Sequence, residues 1–347
     1  MRTLKRFSAA ALAAAGIVLG QLQATAATAP APSGARGFDF DFGTWHTRIR
    51  RLAHPFTGAK PAWLTYDGVV TVRPVWGGAA SVEEIEADGP SHLELMNVRT
   101  YDPQSRQWTL NGAGSSDGTL GKPMYGAFSS GRGVFYGQEF VDGKIALVRQ
   151  TFFDIAPDSY DFRQAASDDA GATWKPDFVA HLTRTSLEAP SEGGRTAPGA
   201  SHDFDFNYGT WATQITAGSS IYSGTVAVRK IWDGRALMEE IHAAGSAGKI
   251  EGLTLFLYDP QTRQWSQTYA DRSDGAFERS AIGGFDGGRG TLVAFPAPNA
   301  GTMQCEREVW SHIRPGGHRF EIQFSSDGCN TWKPAFVANL RRVGPGL

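Results

Sequence analysis

Four charged side chains stand at matching places on strand-like stretches. Ser81, Glu83 and Ile85 fall on one face of an alternating run, and Leu237, Glu239 and Ile241 fall on the corresponding face further along. Arg149 shares a face with Ile145, Leu147, Thr151 and Phe153, and Arg307 shares one with Met303, Cys305, Val309 and Ser311. Read at period two, this places one Glu and one Arg inside each of two repeated units. Buried charges must be paired or bound to something. They form an internal Glu–Arg pair that serves the fold, or the Arg meets a ligand carboxylate while the Glu orients it. A third use is acid–base chemistry by Glu83 or Glu239, should burial raise the carboxyl pKa. A neighbouring Arg works against that use, because it holds a carboxylate ionised.

Trp76 and Trp232 precede the two Glu-bearing stretches, and Trp108 and Trp265 follow them. Repeated large aromatics are core material first and stacking platforms second. The candidate barrel interior is therefore Glu83, Arg149, Glu239, Arg307, Trp76 and Trp232. Residues 167–174 read Ser-x-Asp-x-Gly-x-Thr-Trp, with Asp169 and Trp174 as anchors. Residues 325–332 repeat this with Asp327 and Trp332, and Cys329 replaces the Gly. This resembles the Asp box of sialidase-type propellers, but blades recur every ~40–50 residues and these motifs lie about 160 apart. The expected role is structural: a carboxylate caps turn N–H groups while the Trp packs beneath it. No His is repeated, and no His or carboxylate cluster has metal-ligand spacing, so no metal or haem is expected. No catalytic residue is assigned and no cofactor is implied.

The elements that position these residues are written twice. Tyr66 to Trp108 matches Tyr222 to Trp265, including Tyr-Asp-Pro-Gln-Ser/Thr-Arg-Gln-Trp at 101–108 and 258–265. Each copy is roughly 145 residues, the size of one domain. Short alternating stretches, Gly-rich turns and no long amphipathic helix predict all-β structure of about ten strands per copy. Asp102-Pro103 and Asp259-Pro260 favour type I turns, and Asp142-Gly143 marks a hairpin. Such a meander closes most simply as an antiparallel up-and-down barrel. The expected organisation is a secretory signal peptide at 1–29, a first barrel at 38–186, a Pro/Gly linker at 187–201 and a second barrel at 202–343. Cys305 and Cys329 come near one another if 303–312 and 319–326 form a hairpin, which leaves a disulfide and two free thiols both open.

Gly43-Thr44-Trp45 and Gly209-Thr210-Trp211 open the copies, and Arg184 and Arg342 lie near their ends. This resembles the lipocalin and wider calycin pattern, in which such a Trp closes the barrel floor under a late Arg. The resemblance implies structural roles for Trp45, Arg184, Trp211 and Arg342. Each whole copy also resembles a bacterial secreted lipocalin-like family of unknown function, through its Phe-Asp-Phe opening, Trp-x-Gly step and Ser-x-Asp ending. The resemblance implies two tandem calycin-type barrels and no established activity.

Net charge is −2 with no Lys/Arg block, so nucleic acid is a poor candidate partner. A basic Met1–Arg6, an Ala-rich stretch at 9–22 and small residues at 24–29 read as an export signal. No membrane span and no lipid-anchoring Cys are expected, and the destination is periplasmic or extracellular. The leading expectation is non-catalytic binding of a small apolar or amphipathic molecule inside a barrel. The alternatives are an isomerase or hydratase using a buried Glu, and filled barrels with a structural or protein-interaction role. The two barrels could also pack together.

Overall fold

A computed structural model describes residues 33–58, 60–190, 201–295 and 304–345. The expected signal peptide lies outside the described residues, as does 191–200 of the expected linker. The first barrel runs β1 (Gly43–Ala53), β2 (Ala62–Val75), β3 (Ala80–Asp88), β4 (His92–Asp102), β5 (Gln107–Gly114), β6 (Met124–Ser129), β7 (Arg132–Val141), β8 (Lys144–Ala156), β9 (Ser159–Ser167) and β10 (Lys175–Ser186). The second runs β11 (Gly209–Ala217), β12 (Ser220–Ile231), β13 (Ala236–Gly245), β14 (Gly248–Asp259), β15 (Gln264–Asp271), β16 (Ala281–Asp286), β17 (Arg289–Ala294), β18 (Cys305–Arg314), β19 (Gly317–Ser325) and β20 (Lys333–Gly344). Each strand pairs antiparallel with the next, and β1–β10 and β11–β20 pairing closes two up-and-down barrels. Among the described residues closure gives every strand a neighbour on both sides, with the shortest pairings at β5–β6 and β15–β16.

The turns follow local chemistry. Asp102 accepts from the backbone N–H groups of Gln104 and Ser105, and Asp259 from those of Gln261 and Thr262. Asp142 and Gly143 both take positive φ, as a two-residue type I′ hairpin requires.

The segment before each first strand closes one barrel end. In the first barrel Phe38 is fully buried, with Phe128, Phe135, Phe152 and Trp108 around it. Trp45 Nε1 donates to Asp41 O at 2.8 Å, and the Arg184 guanidinium lies 3.9 Å over the indole. Arg184 also donates to Phe42 O and Phe40 O at 2.6 and 2.5 Å. Trp211 and Arg342 repeat this with Asn207 O, Tyr208 O and Phe206 O. Gly43 and Gly209 are required here: their φ values are +118 and +133, and a Cβ would lie 2.4 Å from Ser186 O or 2.2 Å from Arg342 Nη1.

The barrels meet along the outer faces of β3, β4, β13 and β14. Val82, Met96 and Val98 share one apolar cluster with Met238, Leu253, Leu255 and Leu257. Thr100 Oγ1 donates to Gly275 O and Ser266 Oγ to Gly118 O, both at 2.5 Å, and Arg235 pairs with Glu94. Runs such as Leu253-Thr-Leu-Phe-Leu257 are buried on both faces because one face lines a barrel and the other this seam.

Candidate functional site

The first barrel holds a cavity of about 420 Å³. Its wall is mostly apolar, with Ile49, Val70, Leu93, Leu110, Phe162 and Phe178 among the contributors. Its floor is ionic. Arg99, from β4, is fully buried and lies between two carboxylates. Its Nη1 is 2.5 Å from Asp41 Oδ2, and its Nη2 is 2.5 Å from Glu83 Oε1. The first contact is a hydrogen bond. The second is a close ionic contact whose angle is not that of a hydrogen bond, and Arg99 Nε has no hydrogen-bond partner among the described residues. Asn97 Nδ2 donates to Glu83 Oε2 at 2.7 Å, and the guanidinium stacks 4.3 Å from the Phe38 ring.

Strand pairing builds this arrangement. Glu83 on β3 stands opposite Asn97 on β4, and Arg99 lies two residues further along the same inward face. Asp41 arrives from the plug segment, held by the Trp45 indole. Burial acts to discharge Arg99, but Glu83 and Asp41 outweigh it and hold the guanidinium protonated. Burial pushes the Glu83 carboxyl up, while Arg99 opposes the shift. Tyr160, also fully buried, is kept protonated by burial and by the Asp41 and Glu83 carboxylates.

The equivalent place in the second barrel has different chemistry. Registers align Asp41 with Asn207, Arg99 with Phe256, Asn97 with Thr254, Phe152 with Trp310 and Tyr160 with His318. Among the described residues Glu239 therefore has no guanidinium beside it. It accepts from Asn207 Nδ2 at 3.2 Å and Thr254 Oγ1 at 3.4 Å. Burial raises its pKa to about 7. Trp310 donates to Gln267 at 2.9 Å, and burial, with the carboxylates of Glu306, Glu278 and Glu239, pushes the buried Glu308 carboxyl well up. Burial lowers the His318 pKa to about 3, so this ring is neutral.

Arg149 and Arg307 do not point inward, which corrects the sequence reading. Arg149 lies 4.4 Å over the Trp174 ring and Arg307 4.4 Å over Trp332, both outside the barrels. The inward residues of β8 are Ala146, Val148, Gln150 and Phe152. Period two could not choose the face because β8 is apolar on both: Phe153, on the outer side, is covered by Arg132 and Arg163. Trp76 and Trp232 also lie outside the interiors. Each follows its strand in a short 3-10 turn, and both belong to the seam between barrels.

The Asp-box turns are self-contained. Asp169 accepts from Ser167 Oγ, Thr173 N and Thr173 Oγ1, which lower its pKa to about 2. Asp327 accepts from Ser325 Oγ, Thr331 N and Thr331 Oγ1. Cys305 and Cys329 are joined by a disulfide, Cα to Cα 5.5 Å, which ties the second of these turns to β18.

The sequence reading missed Arg99 and Asp41 because it sought residues common to both copies. The available signal was the reverse: Asp41/Arg99 in one copy becomes Asn207/Phe256 in the other, a paired loss of opposite charges.

No family model matches this chain, and no curated protein does. A similar solved structure is a protein of unknown function from the DUF3598 family of Nostoc punctiforme, at 11% identity, covering 88% of this chain and 97% of that one, with a TM-score of 0.26.

Proposed function

We propose that this chain is an exported, calycin-like binding protein whose first barrel holds one small amphipathic molecule. The observation that carries the reading is the difference between two versions of one fold in one chain. The second barrel closes with Phe256 and Asn207 where the first has Arg99 and Asp41. A buried ion cluster is seldom more stable than a well-packed apolar replacement of similar volume. Closing the barrel therefore does not require the Asp41–Arg99–Glu83 cluster, and its place at the end of an apolar cavity suits recognition of a polar group. The cavity volume falls in the range of small-molecule sites, and a few convergent polar groups in an apolar wall are their usual composition.

The acid–base alternative finds less support at Glu83, whose two oxygens are engaged by Arg99 and Asn97. The test is titration with the neutral fluorophore N-phenyl-1-naphthylamine. Saturable binding at one site per chain, abolished when Ala180→Trp fills the cavity, is the expected result. Unchanged binding in that variant, or none in the parent protein, would sink the reading.

A further inference from the structure

We infer that the floor of the first barrel selects a ligand whose polar end is a protonated amine. This rests on the reading of that barrel as a binding site and names the ligand class. Three observations carry it.

Exposure comes first. Glu83 and Arg99 both line the cavity and Asp41 does not, but Arg99 is 0% exposed whereas Glu83 keeps 6%, so Glu83 is the floor group with surface left to meet a ligand. A ligand entering along the apolar wall meets Glu83 rather than the guanidinium. The Arg that might have received a ligand carboxylate is already occupied by two protein carboxylates.

Charge comes second. When Glu83 is ionised, two carboxylates around one guanidinium leave the cluster one positive charge short, and burial, together with Asp41, accordingly pushes the Glu83 carboxyl up. The other charged residues lining the cavity are exposed and balanced: Arg51 and Lys122 against Asp117 and Glu139. Nothing at that rim cancels the deficit at the floor. An incoming carboxylate would add like charge in a poorly hydrated site, at a large cost, whereas an ammonium makes the cluster neutral. Its N–H groups would donate to the Glu83 lone pairs left over by Asn97 and Arg99.

Surroundings come third. Phe152, Tyr160, Phe162 and Phe178 line the same cavity, and aromatic faces favour a cation over an anion. In the second barrel Glu239 hydrogen-bonds Asn207 and Thr254 and has Glu308 as a buried acidic neighbour, so the arrangement of two carboxylates on one guanidinium belongs to the first barrel.

The experiment is displacement of bound N-phenyl-1-naphthylamine at pH 7 by decylammonium, decanol and decanoate, three probes with one alkyl chain and different heads. The expected order is decylammonium tightest, by about tenfold or more over decanol, and decanoate weakest. Glu83→Gln keeps the shape and the Asn97 contact but removes the charge. It should bring decylammonium down to the level of decanol and leave decanol within about twofold. Decanoate binding as tightly as decylammonium would overturn the inference while leaving the pocket intact, as would an ammonium preference unchanged in Glu83→Gln. Absence of probe binding in the parent protein would overturn the binding reading and this inference with it. The ranking in the parent protein needs no variant, so the inference remains open to refutation even if Glu83→Gln does not fold.

Discussion

Where the first barrel carries Arg99 and Asp41, the second carries Phe256 and Asn207, and that exchange can be made by mutation. Arg99→Met alone leaves Asp41 and Glu83 buried without a cation, and should cost about 3–5 kcal/mol in urea unfolding. The double change Asp41→Asn with Arg99→Phe copies the second barrel. It should recover to within about 1–2 kcal/mol of the parent while losing selectivity for amines. Failure of the double variant to recover would show that the cluster is a folding requirement. Glu239 supplies a second test. Its carboxyl is raised from the ordinary 4.5 to about 7, so the folded state holds a proton that the unfolded state has released. That contribution to stability is complete below about pH 4.5 and is lost as pH rises through 7. Glu239→Gln should therefore gain about 3 kcal/mol relative to the parent between pH 4 and pH 8, read from denaturation midpoints at each pH. A difference that does not change with pH would show that Glu239 is ionised in the fold. His318 has the opposite sign: its lowered pKa removes stability as pH falls from 6.5 toward 3.

The plug segment and the closing strands act as one element. Arg184 reaches from β10 to two carbonyls of the plug, and its charge lies over the Trp45 ring that holds Asp41. Arg184→Met should cost about 2–4 kcal/mol, since hydrogen bonds from charged donors contribute about 1.5–3 each. It should also speed amide exchange in residues 38–42 more than in β5–β8. Uniform acceleration across the barrel would argue against a local tie. At this scale the sequence was legible in the Gly-x-Trp and late Arg pair. It was misleading on β8, where Phe152 inside and Phe153 outside gave alternation no contrast. Arg149 and Arg307 were repeated because each caps an Asp-box Trp, a surface reason that resembles a buried one in the sequence.

Across the whole molecule, the seam makes two barrels one cooperative object. Leu255 is fully buried there, among side chains of both copies. A single calorimetric transition is expected for the parent protein. Leu255→Asp places an unpaired charge in the seam and should split the trace into two transitions. A single transition in both proteins would mean that the barrels are coupled elsewhere. The seam also accounts for Trp76 and Trp232, whose size and repetition suggested the interior.

The closing role of the Trp and Arg pairs was implied by the calycin resemblance, while from the sequence alone came the duplication, the all-β strand count, the turn role of the Asp boxes, and the inward direction of Glu83 and Glu239. These are local or repeated features, and period, turn chemistry and comparison of the copies reach them. Tertiary structure decided which cation meets Glu83, which face of β8 is inside, and where the barrels touch. Each depends on residues brought together from distant parts of the chain, such as Asp41 to Arg99 or Val82 to Leu255. Their contact energy exists only once the barrels have closed.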